Sequence, residues 1–178
     1  MEDNLNLDAL TSQFTKGKKR INSRRKGAAF ERKIAKTLNT KFDSKEFSRS
    51  PGSGAFATTH NLPTHLQLHG DILTPLKFKF VIECKSGYDQ VDIFDLFDDG
   101  KDFDKFIKQA KRDGKKANKP FMLIYKKTRS RKTIVATSLG YFKNDICHLK
   151  SIDVPSKGVT LYLLEDILYL DNSKFTEE

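Results

Sequence analysis

The sequence is poor in cysteine, and it contains neither a long apolar run nor a phosphate-binding glycine loop. Only Cys84 and Cys147 occur among its 178 residues, too few for a disulfide scaffold or a four-cysteine zinc site. No stretch approaches the roughly 20 apolar residues of a membrane-spanning helix, and the first 15 residues carry acids instead of the apolar segment of a signal peptide. The pattern G-x-x-x-x-G-K-[ST] is also missing. From these absences we expect no membrane segment and no nucleotide cofactor.

What the chain has in excess is positive charge. Lys and Arg number 33 and Asp and Glu number 23, which leaves a formal net charge of +10 at pH 7. This excess favours a polyanionic partner, either nucleic acid or an anionic membrane surface. Hydrophobic residues make up 37% of the chain and include 14 Phe, which argues against wholesale disorder and, at this length, indicates one folded domain.

The charge is unevenly distributed along the chain. Residues 16–26, the basic block, hold seven basic residues and no acid, and we expect them to contact nucleic-acid phosphates. Residues 89–104, the acidic segment, hold seven aspartates and one lysine. We interpret the acidic segment as a short amphipathic helix with a solvated acidic side. Its two predicted faces are Asp92, Asp95, Asp98 and Asp102 on one side and Ile93, Phe94, Leu96 and Phe97 on the other.

The sequence shows no internal repeat and no linker that divides the chain. We expect a loosely ordered arm over residues 1–15 and a single domain over residues 16–178, in which residues 88–104 are an acidic insertion. Residues 50–69 form a long loop rich in Gly, Ser, Thr, His and Pro, and loops of that length are usually functional or mobile.

Apolar periodicity predicts two helices and six strands. A helix over residues 24–39 follows from the stripe of Phe30, Ile34 and Leu38, and a second helix over 103–117 ends before Pro120. The predicted strands cover residues 46–49, 71–73, 78–85, 121–125, 133–137 and, more weakly, 159–163.

The strand predicted over residues 78–85 alternates (KFKFVIECK from residue 77), with Phe78, Phe80, Ile82 and Cys84 on one side and Lys77, Lys79, Val81, Glu83 and Lys85 on the other. This period of two is typical of a strand with only one face on the core. Asp71 lies on the preceding strand, across a short turn. A loop of odd length pairs residues whose numbers sum to an even value, such as 71 with 83. Asp71, Glu83 and Lys85 therefore share one face, with Cβ atoms about 5 Å apart across the strands.

Two carboxylates at that distance repel each other, and they do not both ionise unless a positive charge lies between them. A divalent cation held by Asp71 and Glu83 would provide that charge, and oxygen ligands favour Mg²⁺, for which Mn²⁺ can substitute. Lys85 points into the same space, where it would hold a metal-activated water or a phosphate oxygen. Taken alone, the three residues are equally compatible with a cross-strand salt bridge on an exposed face.

Three other features favour a site. Glu31 lies on the core-side edge of the first predicted helix, where an ionised carboxylate requires a partner such as a metal. Arg24, Arg25 and Lys26 lie at the N-terminus of that helix, where the helix dipole repels cations. An approaching phosphate would offset this repulsion. Residues 49–54 (RSPGSG) form a basic, hydroxyl-bearing segment upstream of the carboxylates.

Four segments resemble, in order and spacing, the archaeal-type Holliday junction resolvases of the PD-(D/E)XK nuclease superfamily. They are RRKGAAFERKIAKTL from residue 24, FSRSPGSGA from residue 47, HGDI from residue 69 and VIECKSG from residue 81. The resemblance covers residues 24–87 and continues more loosely over residues 103–137. It implies an α/β fold with a restriction-endonuclease-like core, in which helices flank a mixed central sheet. It also implies a Mg²⁺-dependent endonuclease that cuts four-way DNA junctions as a homodimer.

The resemblance implies a role for each matching residue. Asp71, Glu83 and Glu31 surround the metal, and Lys85 is catalytic. Ser53 assists near the scissile phosphate, and Gln109 supports the lysine. Arg24, Arg25, Lys26 and Arg49 are expected to hold the DNA backbone without reading its sequence.

The chain also departs from the pattern of the resolvases. Gly70 stands where the name-giving proline would precede Asp71, the loop over 50–69 is longer, and the acidic segment is inserted. A restriction- or repair-type nuclease on duplex DNA or ends, and a non-catalytic nucleic-acid-binding module, are the alternatives. A zinc site of His60, His65 and His69 with Cys84 ranks below these, because Cys84 points away from Glu83. We expect a protein of the cytoplasm or nucleoid, or of the host cytoplasm if the chain is viral.

Overall fold

The computed structural model describes residues 23–51, 69–142 and 149–177. The predicted arm over 1–15, the first part of the basic block, most of the loop over 50–69 and Cys147 lie outside these ranges. In chain order the elements are α1 (Ser23–Phe42), β1 (Ser48–Arg49), β2 (Ile72–Leu73), β3 (Val81–Ser86), α2 (Asp102–Ala117), β4 (Phe121–Lys126), β5 (Ile134–Ser138), β6 (Ser151–Val154), β7 (Val159–Leu163) and α3 (Leu164–Ile167).

The strands form one mixed sheet in the order β1-β2-β3-β4-β5-β7-β6. β3 and β4 run parallel, and the connection between them contains α2, whereas the other neighbouring pairs are antiparallel. This is the predicted α/β architecture, and it is consistent with a PD-(D/E)XK nuclease-like fold. None of the helices in the described ranges has the length and apolar character needed to cross a membrane.

The sheet separates two hydrophobic cores. Phe30, Ile34 and Leu38 of α1 pack with Ile82 and Cys84 of β3 on one face, as the predicted stripe requires. The other face is covered by α2. Its core consists mainly of Phe103, Phe106, Ile107 and Ala110 from α2 with Phe121, Leu123 and Tyr125 from β4. The strand β3 therefore lies in the middle of the molecule, between α1 and α2.

The prediction that β3 has only one covered face is wrong. Val81 and Glu83, on the face predicted to be exposed, are buried along with Ile82 and Cys84. A strand that is parallel to its neighbour requires a crossover connection, and here the crossover helix α2 covers the second face. Lys77 and Lys79 gave the sequence its alternation of charged and apolar residues, but both lysines precede the strand.

The acidic segment is also different from the predicted amphipathic helix. It forms a single 3-10 turn, Ile93–Leu96, and α2 begins only at Asp102. Phe94 and Phe97 are 71% and 88% exposed, although they were expected on an apolar face. The acids instead pair with lysines, some from other elements: Asp92 with Lys127, Asp99 with Lys157, Asp102 with Lys105, and Asp104 with Lys108 and Lys157. These ion pairs and the buried side chains of Val91 and Leu96 hold the segment against the second core.

β6 and α3 were not predicted from the sequence. Each spans four residues, which is too short for apolar periodicity to show. β6 lies at the edge of the sheet, and its residues are mostly exposed, so its sequence carries little of the hydrophobic signal of a strand. β7, the weakest predicted strand, is buried between β5 and β6.

Candidate active site

The register between β2 and β3 is the predicted one, in which the numbers of paired residues sum to an even value. Ile72 lies opposite Ile82, so Asp71 lies opposite Glu83. The Asp71 N–H donates to the Ile82 carbonyl at 2.8 Å, and one carboxylate oxygen of Asp71, Oδ2, accepts the Cys84 N–H at 2.9 Å. The backbone of β3 thus holds the Asp71 side chain at a fixed position beside Glu83.

Gly70 is required by this close approach of the two chains. Its φ is +81°, and a Cβ atom placed on it would lie 2.4 Å from the Ile82 carbonyl oxygen. A side chain at this position would therefore push the chain away from β3 and displace Asp71 from Glu83. Gly70, which stands where the resolvases that the sequence resembles would have a proline, therefore has a direct structural role.

Glu83 is the centre of a buried hydrogen-bond network. Its side chain is 3% exposed, and one carboxylate oxygen, Oε1, accepts from Lys85 Nζ at 2.5 Å and from Gln109 Nε2 at 2.6 Å. Gln109 lies on α2, one turn after Phe106, whose ring centroid is 5.7 Å from Lys85 Nζ. The crossover helix therefore positions both the carboxylate and the ammonium group.

The electrostatics of the site favour an added cation. Burial, followed by the negative charge of Asp71, raises the pKa of Glu83 from 4.5 to about 7, although Lys85 acts in the opposite direction. Burial alone would lower the pKa of Lys85, but attraction to Glu83 and the hydrogen bond with it raise that pKa above 10.5. One lysine thus only partly offsets the cost of burying Glu83 next to a second carboxylate.

Glu31 reaches the same region from α1. It is buried, and its Oε2 atom forms an ion pair with Arg49 Nε at 2.5 Å. β1 carries Arg49 opposite Ile72, next to Asp71. Burial raises the pKa of the Cys84 thiol, and the negative charges of Asp71, Glu83 and Glu31 raise it further.

The carboxylates of Asp71 and Glu83 fit a hard divalent cation. The second oxygen of each, Oδ1 and Oε2, accepts no hydrogen bond from any residue that the structure describes. Within the same ranges, no three His, Cys, Asp or Glu side chains lie close enough together to hold a metal by themselves. A cation here would therefore take two protein carboxylates and complete its shell with water and phosphate oxygens, as Mg²⁺ commonly does.

Several predicted site residues are not assembled at this centre. Ser53 lies outside the described residues, so its predicted role stays a prediction, and the same holds for the zinc ligands His60 and His65. Cys84 is buried in the first core, as expected for a small apolar side chain. Arg24, Arg25 and Lys26 are exposed on the first turn of α1. A Cβ atom on Gly87 would lie 4.0 Å from Lys26 Cδ, which places this turn beside the end of β3.

Two contributions to the site were missed. Phe106 packs beneath the ammonium of Lys85, and Asp113, one turn beyond Gln109 on α2, adds a negative charge that raises the pKa of Glu83. The spacing of 106, 109 and 113 along one helix face was the available signal, because residues three and four apart are neighbours on a helix.

The sequence of residues 22–156 matches a protein-family model described as "Phage putative PDDEXK endonuclease". The match includes Glu31, Asp71, Glu83, Lys85 and Gln109 and extends through β6. No curated protein and no solved structure matches the chain significantly.

Proposed function

The chain belongs to this family of PD-(D/E)XK endonucleases, and on that premise we propose that it hydrolyses DNA phosphodiester bonds with Mg²⁺ or Mn²⁺ at Asp71 and Glu83. The observation that carries the proposal is the convergence of four side chains, one from the residue just before β2, two from β3 and one from α2. Asp71 and Glu83 are opposite each other, and Lys85 and Gln109 both donate to one oxygen of Glu83. A cross-strand salt bridge would require neither the burial of Glu83 nor the glutamine.

Asp71 and Glu83 would hold the cation through the oxygens that accept no hydrogen bond from the described residues. A bound divalent ion lowers the pKa of a water molecule and offsets charge on the phosphate. Lys85 would donate a hydrogen bond to the attacking water or to a non-bridging phosphate oxygen, where negative charge develops. Gln109 keeps the Glu83 carboxylate in the orientation that leaves Oε2 available.

Glu31 and Arg49 would act together at the edge of the site. Glu31 is paired with Arg49, so it would reach the cation through a water molecule rather than by direct ligation. Arg49, whose side chain is 29% exposed, would turn its guanidinium toward a phosphate when DNA arrives. Ser53, which lies outside the described residues, is proposed to contact the scissile phosphate.

We further propose that the preferred substrate is branched DNA, a four-way junction above all, and that a homodimer makes the paired cuts. The similarity of residues 24–87 to archaeal-type junction resolvases supports this finer proposal. A restriction- or repair-type nuclease acting on duplex DNA or ends is the alternative within the same chemistry.

A cleavage panel tests both levels of the proposal. A four-way junction, a flap, a linear duplex and a single strand are incubated with Mg²⁺, Mn²⁺, Ca²⁺ or EDTA. Asp71→Asn serves as the inactive variant, and Asp102→Asn, which removes an exposed carboxylate paired with Lys105, serves as its charge-matched control. We expect cleavage by wild type and control only with Mg²⁺ or Mn²⁺, with the junction cut fastest.

The outcomes separate the candidate functions. Equal rates on the junction and the linear duplex would favour the restriction- or repair-type alternative. Tight binding with no cleavage of any substrate in either metal would show a non-catalytic nucleic-acid-binding module and would refute the nuclease proposal.

A further inference from the structure

The turn between β4 and β5 is strongly basic. Residues 126–132, the basic turn, read KKTRSRK, with five basic residues and no acid. The basic turn is separate in sequence from the basic block over 16–26. It contributes no side chain to the candidate active site.

The basic turn begins at the end of β4, next to the end of β3, the strand that carries Glu83 and Lys85. β3 and β4 are parallel, with Lys85 opposite Tyr125 and Ser86 opposite Lys126. Standard strand rise and spacing put the Cα atom of Arg129 within about 14 Å of that of Lys85. This distance corresponds to about four base-pair steps along duplex DNA. A duplex that runs from a phosphate at Lys85 toward the end of β4 would therefore pass beside the turn.

The basic turn has a defined conformation. The Ser130 N–H donates to the Lys127 carbonyl at 3.1 Å, and the Ser130 hydroxyl bridges the N–H and carbonyl of Lys132 at 3.1 and 3.0 Å. Arg129 has φ of 62°, in the left-handed region that non-glycine residues seldom adopt. Unfavourable backbone conformations of this kind are concentrated at functional sites, and here one is held at the tip of a bonded turn.

The two arginines of the basic turn are exposed, and they differ in their pairing from two of its three lysines. Lys127 is paired with Asp92, and Lys132 with Glu165, so both lysines fasten the turn to neighbouring elements. Arg129 and Arg131 make no ion pair with any residue in the described ranges. The turn therefore presents two guanidinium groups to solvent on an anchored base.

We propose that the basic turn binds the phosphate backbone of duplex DNA a few base pairs from the cleaved bond, through Arg129 and Arg131. This inference rests on the proposed function, because the active site fixes where the duplex lies. Guanidinium groups suit phosphate oxygens, with which they form paired hydrogen bonds. Lys26, which lies beside Gly87, would hold the backbone at the other side of the end of β3.

The test uses a variant that removes both charges and preserves the turn. Arg129→Asn with Arg131→Gln is neutral, and asparagine tolerates the left-handed conformation. The matched control is Lys115→Gln with Lys116→Gln, which removes two exposed charges at the end of α2. That end of α2 lies next to the start of β4, at the opposite edge of the sheet. Binding to a linear duplex and to a four-way junction is measured in Ca²⁺ over a series of KCl concentrations.

We expect the slope of log K against log salt to fall by about two units in the turn variant, one for each lost phosphate contact. The control should keep the parental slope, and the melting temperatures of all three proteins should agree. Cleavage by the turn variant should show a raised KM with little change in kcat, because the turn touches DNA and not the reacting atoms.

The parental salt slope in the turn variant, with normal cleavage by wild type, would overturn the inference and leave the proposed function intact. An equal loss of slope in the control would also overturn it, since total charge rather than the turn would then govern binding. Binding by wild type without cleavage would instead refute the nuclease proposal, and a loss of slope in the turn variant would still establish the phosphate contact. Absence of DNA binding by wild type would refute both.

Discussion

At the scale of single residues, the two oxygens of Glu83 have different surroundings. Oε1 accepts hydrogen bonds from Lys85 and Gln109, while Oε2 accepts none from the described residues. A carboxylate arranged in this way can hold a cation on one oxygen while the other oxygen fixes Lys85. In the proposed mechanism, the site would therefore couple metal binding to the position of Lys85.

Lys85→Ala tests the role of the lysine separately from that of the metal. The carboxylates stay in place, so we expect junction affinity in Ca²⁺ to change little, because binding depends on backbone contacts spread over many basic residues. Cleavage should fall by about 10²-fold or more, the effect of losing one transition-state donor. Lys85→Arg should not restore cleavage, since a planar guanidinium cannot replace a compact ammonium packed on Phe106. Equal single-turnover rates for wild type and Lys85→Ala would exclude Lys85 as the catalytic residue.

The raised pKa of Glu83 predicts an unusual pH dependence of stability. The folded protein keeps a proton on Glu83 up to about pH 7, whereas the unfolded chain releases it near 4.5. The stabilisation is thus fully present below the unfolded pKa and is lost as pH rises through the folded pKa. In EDTA we expect the free energy of unfolding to fall by up to about 3 kcal/mol between pH 4.5 and 7 because of this group.

Urea denaturation at a series of pH values measures this effect, with Glu83→Gln as the control that cannot ionise. The difference in stability between variant and wild type should shift in favour of the variant as pH rises. Saturating Mn²⁺ should reverse the trend for wild type, because the cation binds the ionised carboxylate. Parallel pH profiles for the two proteins in EDTA would show that Glu83 ionises normally.

The sequence predicted which site residues face each other across the strands better than it predicted the hydrogen bonds of their side chains. The parity of the β2–β3 connection was enough to place Asp71 opposite Glu83, and Ile72 does pair with Ile82. By contrast, Gln109 was expected to support Lys85, yet its amide bonds directly to Glu83. Strand parity is a local property of the chain, whereas the reach of a helix side chain depends on how the helix packs.

At the scale of secondary-structure elements, long amphipathic patterns were reliable and charge patterns were not. The apolar stripe of α1 and the stop before Pro120 at the end of α2 predicted both helices to within a few residues. The acidic segment was interpreted from its own sequence, but its conformation depends on lysines from distant positions such as Lys127 and Lys157. Ion pairs with residues far along the chain leave no periodic signal.

The first turn of α1 provides a prediction at this scale. Replacing Arg24, Arg25 and Lys26 with alanine should weaken binding to all DNA shapes alike and lower the salt slope by about one unit per lost phosphate contact. The matched control replaces the exposed residues Arg32, Lys33 and Lys36 with alanine. It removes the same charge of +3 farther along the same helix. A triple variant with the parental salt slope would show that the first turn does not contact DNA.

At the scale of the whole molecule, basic elements flank the end of β3, the strand that carries Glu83 and Lys85. The first turn of α1 approaches Gly87, and the basic turn follows β4 at the same edge of the sheet. The acidic segment lies between β3 and α2, where several of its carboxylates are paired with lysines. Basic side chains from α1 and from the basic turn therefore lie near this end of β3, where they would attract a polyanion toward Asp71 and Glu83.

A metal held by Asp71 and Glu83 should stabilise the whole domain, because β3 lies in the middle of the molecule between α1 and α2. Binding to the folded state alone adds about 2.7 kcal/mol when the free ion is at 100 times its Kd. For a domain of this size, that corresponds to a rise of about 5–10 °C in Tm. We expect Mn²⁺ to raise the Tm of wild type and of Asp102→Asn, and Asp71→Asn to abolish the rise. A melting curve for wild type that is unchanged across millimolar Mn²⁺ would count decisively against a metal site at Asp71 and Glu83, whatever the nuclease assays show.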